Sequence, residues 1–90
     1  MARLLIIDDD VRLGALLERL LKPEGFQVTL VTDGLQGVRR ATGEVFDLLV
    51  LDVMLPGMDG FEVLRRVRAQ SKVPVIMLTA KGTDNDRIVG

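Results

Sequence analysis

An α/β fold, a doubly wound parallel sheet with helices on both faces, is what this sequence predicts, and three observations predict it. Short strand-like runs recur along the chain: the apolar Leu4-Leu5-Ile6-Ile7, Leu48-Leu49-Val50-Leu51 and Val75-Ile76-Met77-Leu78, and Phe26–Val31, rich in β-branched and aromatic residues. Segments with helical spacing of apolar residues lie between them. Three of the four runs end in polar residues: Asp8 and Asp9 after the first, Asp52 after the third, Thr79 after the fourth. Strand–helix alternation implies right-handed βαβ crossovers and a parallel sheet. In such sheets function gathers at the carboxyl ends of the strands, near a topological switch point.

The first run is wholly apolar, as suits a central strand buried on both faces. Leu13, Leu16, Leu17, Leu20 and Leu21 then repeat as an amphipathic helix stripe. Asp10 is placed to cap that helix, and Pro23 with Gly25 to end it. Phe26–Val31, rich in β-branched and aromatic residues, reads as the second strand. A short helix is expected around residues 35–41, weakened by Gly37 inside it. The third strand ends at Asp52. Phe61, Leu64 and Val67 then space a helix that turns Arg65, Arg66 and Arg68 to solvent. After the fourth strand, Asp84 or Asp86 opens a helix that the sequence does not complete.

Composition narrows the function classes. Ninety residues make one domain, not two. Hydrophobic residues are 48% and charged residues 28%, which excludes a disordered chain. The net charge of −1 offers no basic surface for nucleic acid or anionic lipid. Cysteine and histidine are both absent, so disulfides, thiolate sites, histidine triads and most transition-metal sites are ruled out. The apolar runs are too short to span a membrane, and Met1-Ala2-Arg3 leaves no room for a signal peptide before the first strand. A cytoplasmic protein is expected.

The polar strand ends carry the chemistry. If the first and third strands are neighbours, Asp8, Asp9 and Asp52 converge in one crevice, where like charges repel and burial worsens the repulsion. Protonation relieves this, and so does a hard divalent cation such as Mg²⁺, which takes one or two carboxylates and leaves room for a phosphate oxygen. A carboxylate so placed is also a nucleophile toward phosphorus, and Thr79 is placed to hydrogen-bond an equatorial oxygen. Taken singly these residues have ordinary roles: Asp8-Asp9-Asp10 as a helix cap with an acidic first turn, Thr79 as a turn-former. The joint pattern favours a site. Next to Asp52, Pro56 stiffens the Met54-Leu55-Pro56-Gly57-Met58-Asp59-Gly60 loop, while Gly57 and Gly60 permit left-handed turns. That loop either aims a backbone carbonyl into the crevice or simply connects strand to helix.

Three blocks, in this order and spacing, resemble the receiver domain of two-component response regulators: Ile6-Ile7-Asp8-Asp9-Asp10, Leu51-Asp52-Val53-Met54-Leu55-Pro56-Gly57-Met58-Asp59-Gly60, and Pro74-Val75-Ile76-Met77-Leu78-Thr79-Ala80. The last block is most similar to the subgroup whose full-length members carry a winged-helix DNA-binding domain. The resemblance implies a flavodoxin-like sheet in the order 2-1-3-4-5. It implies Asp52 as phosphoacceptor, and Asp8 and Asp9 as the acidic pair holding Mg²⁺, with Asp9 the favoured direct ligand. Met54 matches the residue whose backbone carbonyl completes the metal site, Thr79 the switch hydroxyl, and Ala80 the small residue that keeps access open. The implied partner is a sensor histidine kinase, with control of transcription in a full-length relative and no nucleic acid or membrane bound by this stretch.

The family pattern continues past Gly90 through a completed fourth helix, a fifth strand bearing a phosphate-contacting Lys and a switch aromatic, and a fifth helix. Lys81 does not match that Lys. Residues 1–90 therefore read as a receiver lacking its last strand and helix, its fourth strand an open edge prone to self-association. A receiver of this kind is a signalling module rather than an enzyme. Two other functions compete. One is a pseudo-receiver that binds partners without taking phosphate. The other is a phosphatase of the haloacid-dehalogenase type built on Asp8 and Asp10, against which Arg12 stands where that motif wants Thr or Val.

Overall fold

Four parallel strands in the order β2-β1-β3-β4 form the sheet: β1 (Ala2–Ile7), β2 (Phe26–Val31), β3 (Leu48–Asp52) and β4 (Val75–Leu78). Between them run α1 (Val11–Leu21), α2 (Gly34–Gly43) and α3 (Gly60–Arg68). The structure, a computed structural model, describes residues 1–78. Thr79, Ala80, Lys81 and the helix expected from Asp84 or Asp86 lie outside the described residues, and so does whatever would test the expectation that β4 is an open edge.

Strand periodicity sorts the core into two layers. Leu5, Ile7, Leu49, Leu51, Val75 and Met77 are level with one another in the register and share one face. Val63 and Val67 of α3 and Ala41 of α2 join them in one buried cluster. Each such side chain stabilises the fold by roughly 1.5–3 kcal/mol when fully buried. On the other face α1 packs toward β2, with Gly14 pressed against Leu30. The chain steps from β1 to β2 on one side, then crosses to β3 on the other. The switch point therefore falls between β1 and β3.

The caps fall where the short polar residues are. Asp10 accepts hydrogen bonds from the Arg12 and Leu13 amides, as expected. Asp33 does the same for Gln36 and Asp59 for Phe61. A 3-10 turn at Lys22–Glu24 closes α1, and Gly25 follows at φ 95°, the left-handed conformation that glycine adopts freely.

Four details of these elements differ from the plain sequence pattern. The leucine stripe of α1 is not uniformly buried: Leu13, Leu17 and Leu21 are half-buried, but Leu16 and Leu20 are 49% and 59% exposed. Gly37 lies within α2 without ending it. The helix runs through it, because an added Cβ would lie 2.7 Å from the Ile7 side chain and glycine lets the helix sit on β1. In α3 the buried positions are Gly60, Val63 and Val67, with Leu64 half-buried, while Phe61 is 52% exposed. Finally, Gly57 has the left-handed φ of 78°, but Gly60 does not.

Candidate functional site

Ile7 and Leu51 are register partners on neighbouring strands. The next residue on each strand is an aspartate, so parallel pairing alone brings Asp8 and Asp52 side by side. Asp9 adds a third carboxylate from the turn before α1. One oxygen from each lies within 4.8 Å of the others. Asp8 and Asp52 are only 4% and 7% exposed, while Asp9 faces solvent. The expected convergence of Asp8, Asp9 and Asp52 is what the structure places at the switch point.

The backbone holds these groups firmly. The Asp8 amide donates to the Val31 carbonyl, and the Val53 amide to the Leu78 carbonyl, so both strand ends remain laddered. The Asp10 amide donates to Asp8 Oδ1 at 2.9 Å, and the Met54 amide to Asp52 Oδ1 at 3.2 Å. Burial pushes the Asp8 carboxyl above its ordinary value; the Asp10 amide partly opposes this, and the Asp52 and Asp9 charges add to it. Burial likewise raises Asp52, opposed by the Met54 amide and reinforced by Asp9. The site is therefore an electrostatically costly arrangement in search of positive charge.

Oxygen-only donors, packed this closely and repelling one another, fit a hard divalent cation and no soft metal. Asp9 is the open donor of the three. Met54 sits at the mouth with its side chain 53% exposed. Asp10 is not part of the cluster: its carboxylate is occupied at the start of α1. Thr79 lies outside the described residues; it follows Leu78, the register partner of Asp52.

Sequence reasoning missed two features of the surroundings. The first is a set of exposed apolar residues that follow the carboxyl ends of the strands, Val11, Leu35, Met54 and Phe61. Three of these residues lie in the first turn of a helix (Val11, Leu35 and Phe61), and helix starts meet strand ends in a parallel fold. The signal in the sequence is an apolar residue one or two places after each Asp cap. The second is the closing of the 53–59 loop. The Gly60 amide donates to the Val53 carbonyl at 2.9 Å, and the loop lines a hollow of about 410 Å³.

Known proteins share this pattern. A family model described as "Response regulator receiver domain" matches residues 4–90. An uncharacterized transcriptional regulatory protein of Bacillus subtilis is 46% identical over 88 residues, which is 98% of this chain and 39% of that protein. The transcriptional regulatory protein TcrA of Mycobacterium tuberculosis is 49% identical over 89 residues, 98% of this chain and 35% of that protein. The chain thus spans well under half the length of these curated relatives. Among solved structures, the receiver domain of a sensor histidine kinase from Pseudomonas aeruginosa superposes with a TM-score of 0.85 at 37% identity, covering 96% of this chain and 73% of that one. That crystal structure holds a magnesium ion in its active site cleft.

Proposed function

The chain belongs to the response regulator receiver domain family, and from that premise we propose that it accepts a phosphoryl group on Asp52, with Mg²⁺ present, from a sensor histidine kinase. The observation that carries the reading is the cluster of Asp8, Asp9 and Asp52 at the switch point. Asp8, Asp9 and the Met54 carbonyl are the groups assigned to Mg²⁺ together with Asp52. A bound Mg²⁺ would neutralise these carboxylates and the charge on the incoming phosphoryl oxygens.

An Asp52 oxygen forms the new P–O bond while the P–N bond of the kinase phosphohistidine breaks, and the leaving imidazole takes up a proton. The Met54 amide holds Asp52 Oδ1 and so presents the other oxygen for attack. Thr79 is assigned the hydrogen bond to the phosphoryl group. The phosphorylated residue carries about −1.5 to −2 charges, enough to redraw local hydrogen bonding. In a full-length relative that change governs DNA binding and transcription; a cytoplasmic location goes with this role. The exposed Val11, Leu35, Met54 and Phe61, which follow the carboxyl ends of the strands, support a protein partner there.

No catalytic turnover is assigned to the chain. The phosphatase alternative needs Asp10 as its second carboxylate, and Asp10 is committed to the Arg12 and Leu13 amides. Incubation with a small acyl phosphate tests the proposal. Stable phosphoryl uptake should require Mg²⁺ and vanish in Asp52→Asn. Turnover of a phosphomonoester that survives Asp52→Asn and is lost in Asp8→Asn would replace it with the phosphatase reading. A chain that folds and takes no phosphate would be a pseudo-receiver.

A further inference from the structure

Gly60 stands apart from the other buried glycines. A Cβ added at Gly14, Gly34 or Gly37 would meet side chains, those of Leu30, of Val63 and Met58, and of Ile7. Side chains can turn away. At Gly60 the same atom would lie 2.3 Å from the Asp52 carbonyl oxygen, 2.7 Å from Val53 Cα and 3.0 Å from the Val53 carbonyl oxygen. All three are main-chain atoms. The φ of Gly60 is not positive, so close approach, not backbone freedom, is what requires glycine here.

The strand under it has little room to yield. Asp52 is paired with Leu78 on β4, and the Val53 amide is bonded to the Leu78 carbonyl. On its other side β3 is laddered to β1. The first residue of α3 therefore rests directly on the backbone of Asp52. Its own amide, which α3 cannot satisfy internally, is bonded to the Val53 carbonyl and closes the loop that carries Met54.

We propose that Gly60 is a positioning residue: its missing side chain seats α3 on the Asp52 main chain and so fixes both the Asp52 carboxylate and the Met54 end of the loop for cation binding. This rests on the receiver-site reading above. A methyl group at residue 60 forces either α3 or Asp52 to move, and either movement separates groups that must converge on one ion.

The test is Mg²⁺ affinity, read from amide chemical shifts, in wild type, Gly60→Ala and Gly14→Ala. Gly14→Ala introduces a comparable overlap against Leu30 and serves as a control for general destabilisation. Gly60→Ala should weaken Mg²⁺ binding about tenfold or more, the scale on which groups orienting metal ligands act, while Gly14→Ala of similar melting temperature in EDTA binds as wild type does. In the wild type the Gly60 amide should shift with the same midpoint as those of Val53 and Met54, a readout that stands even if Gly60→Ala does not fold. Unchanged affinity in a folded Gly60→Ala, or a Gly60 amide indifferent to Mg²⁺, would overturn the inference alone. A wild type that binds no Mg²⁺ would overturn the receiver-site reading with it.

Discussion

Asp8 and Asp52 show at single-residue scale why the site and the fold pull in opposite directions. Their ordinary carboxyl value is 3.8, and burial raises both in the folded protein. Between that value and the folded one, the native state binds more protons than the unfolded chain. Their contribution to stability is thus full below about pH 3.8 and is lost as pH rises through the folded values. Glu62 behaves oppositely. Hydrogen bonds from Arg65 and then Arg66 hold it down to about 2, so its contribution is present above pH 4.5 and lost as pH falls toward 2. At neutral pH without Mg²⁺, Asp52→Asn should therefore stabilise the domain by about 1–3 kcal/mol, the scale of like-charge repulsion a few ångströms apart. Thermal unfolding of both proteins in EDTA at neutral pH and again near pH 3.8 checks this, and the gap should be smaller at the lower pH. The carboxylates were legible in the sequence because adjacent parallel strands align their ends. The role of Gly60 was not: a glycine after Pro56-Gly57 reads as turn-former until the backbone of Asp52 is seen beneath it.

At the scale of elements, the strands were the readable part. Val75–Leu78 and Phe26–Val31 fall where the sequence pattern predicted them, and in the central β1 Leu4, Leu5, Ile6 and Ile7 are all buried, so neither face leaves a choice of residue type. Helices were read less well. An amphipathic stripe shows which side is apolar but not how far the neighbouring layer reaches: among the described residues Leu16, Leu20 and Phe61, all stripe positions, are about half exposed. Leu16→Gln and Leu20→Gln should accordingly cost well under 1 kcal/mol each, against about 2–5 kcal/mol for a buried Leu51→Ala. Asp10→Ala removes the cap that both the Arg12 and Leu13 amides use and should cost about 1 kcal/mol. Urea unfolding of the four variants checks both statements.

Across the whole molecule the two ends of the sheet do different work. At the amino end of β1, Arg3 is locked: its amide donates to Asp47, its guanidinium to the Val45 carbonyl and to Glu44, and it lies 4.6 Å over the Phe46 ring. Arg40 also donates to Glu44, and these two arginines hold the Glu44 carboxyl below its ordinary range. At the carboxyl end the charges repel. One end is satisfied and the other is left in deficit for a ligand to complete. Mg²⁺ should consequently raise the melting temperature, with a gain of about 2.7 kcal/mol at a hundredfold excess over Kd. The gain should be lost in Asp52→Asn and kept in Arg3→Ala, which melts lower with or without the ion. No helix among the described residues is long and apolar enough to cross a membrane.

The central claim is that Asp52 takes the phosphoryl group. After reaction with an acyl phosphate in Mg²⁺, reduction by borohydride converts a phosphorylated aspartate to homoserine, and peptide mass spectrometry locates it. The expected result is homoserine at residue 52 and none at residues 8, 9 or 10. Homoserine at Asp8 or Asp9, or its absence from a folded, Mg²⁺-bound protein, would contradict it.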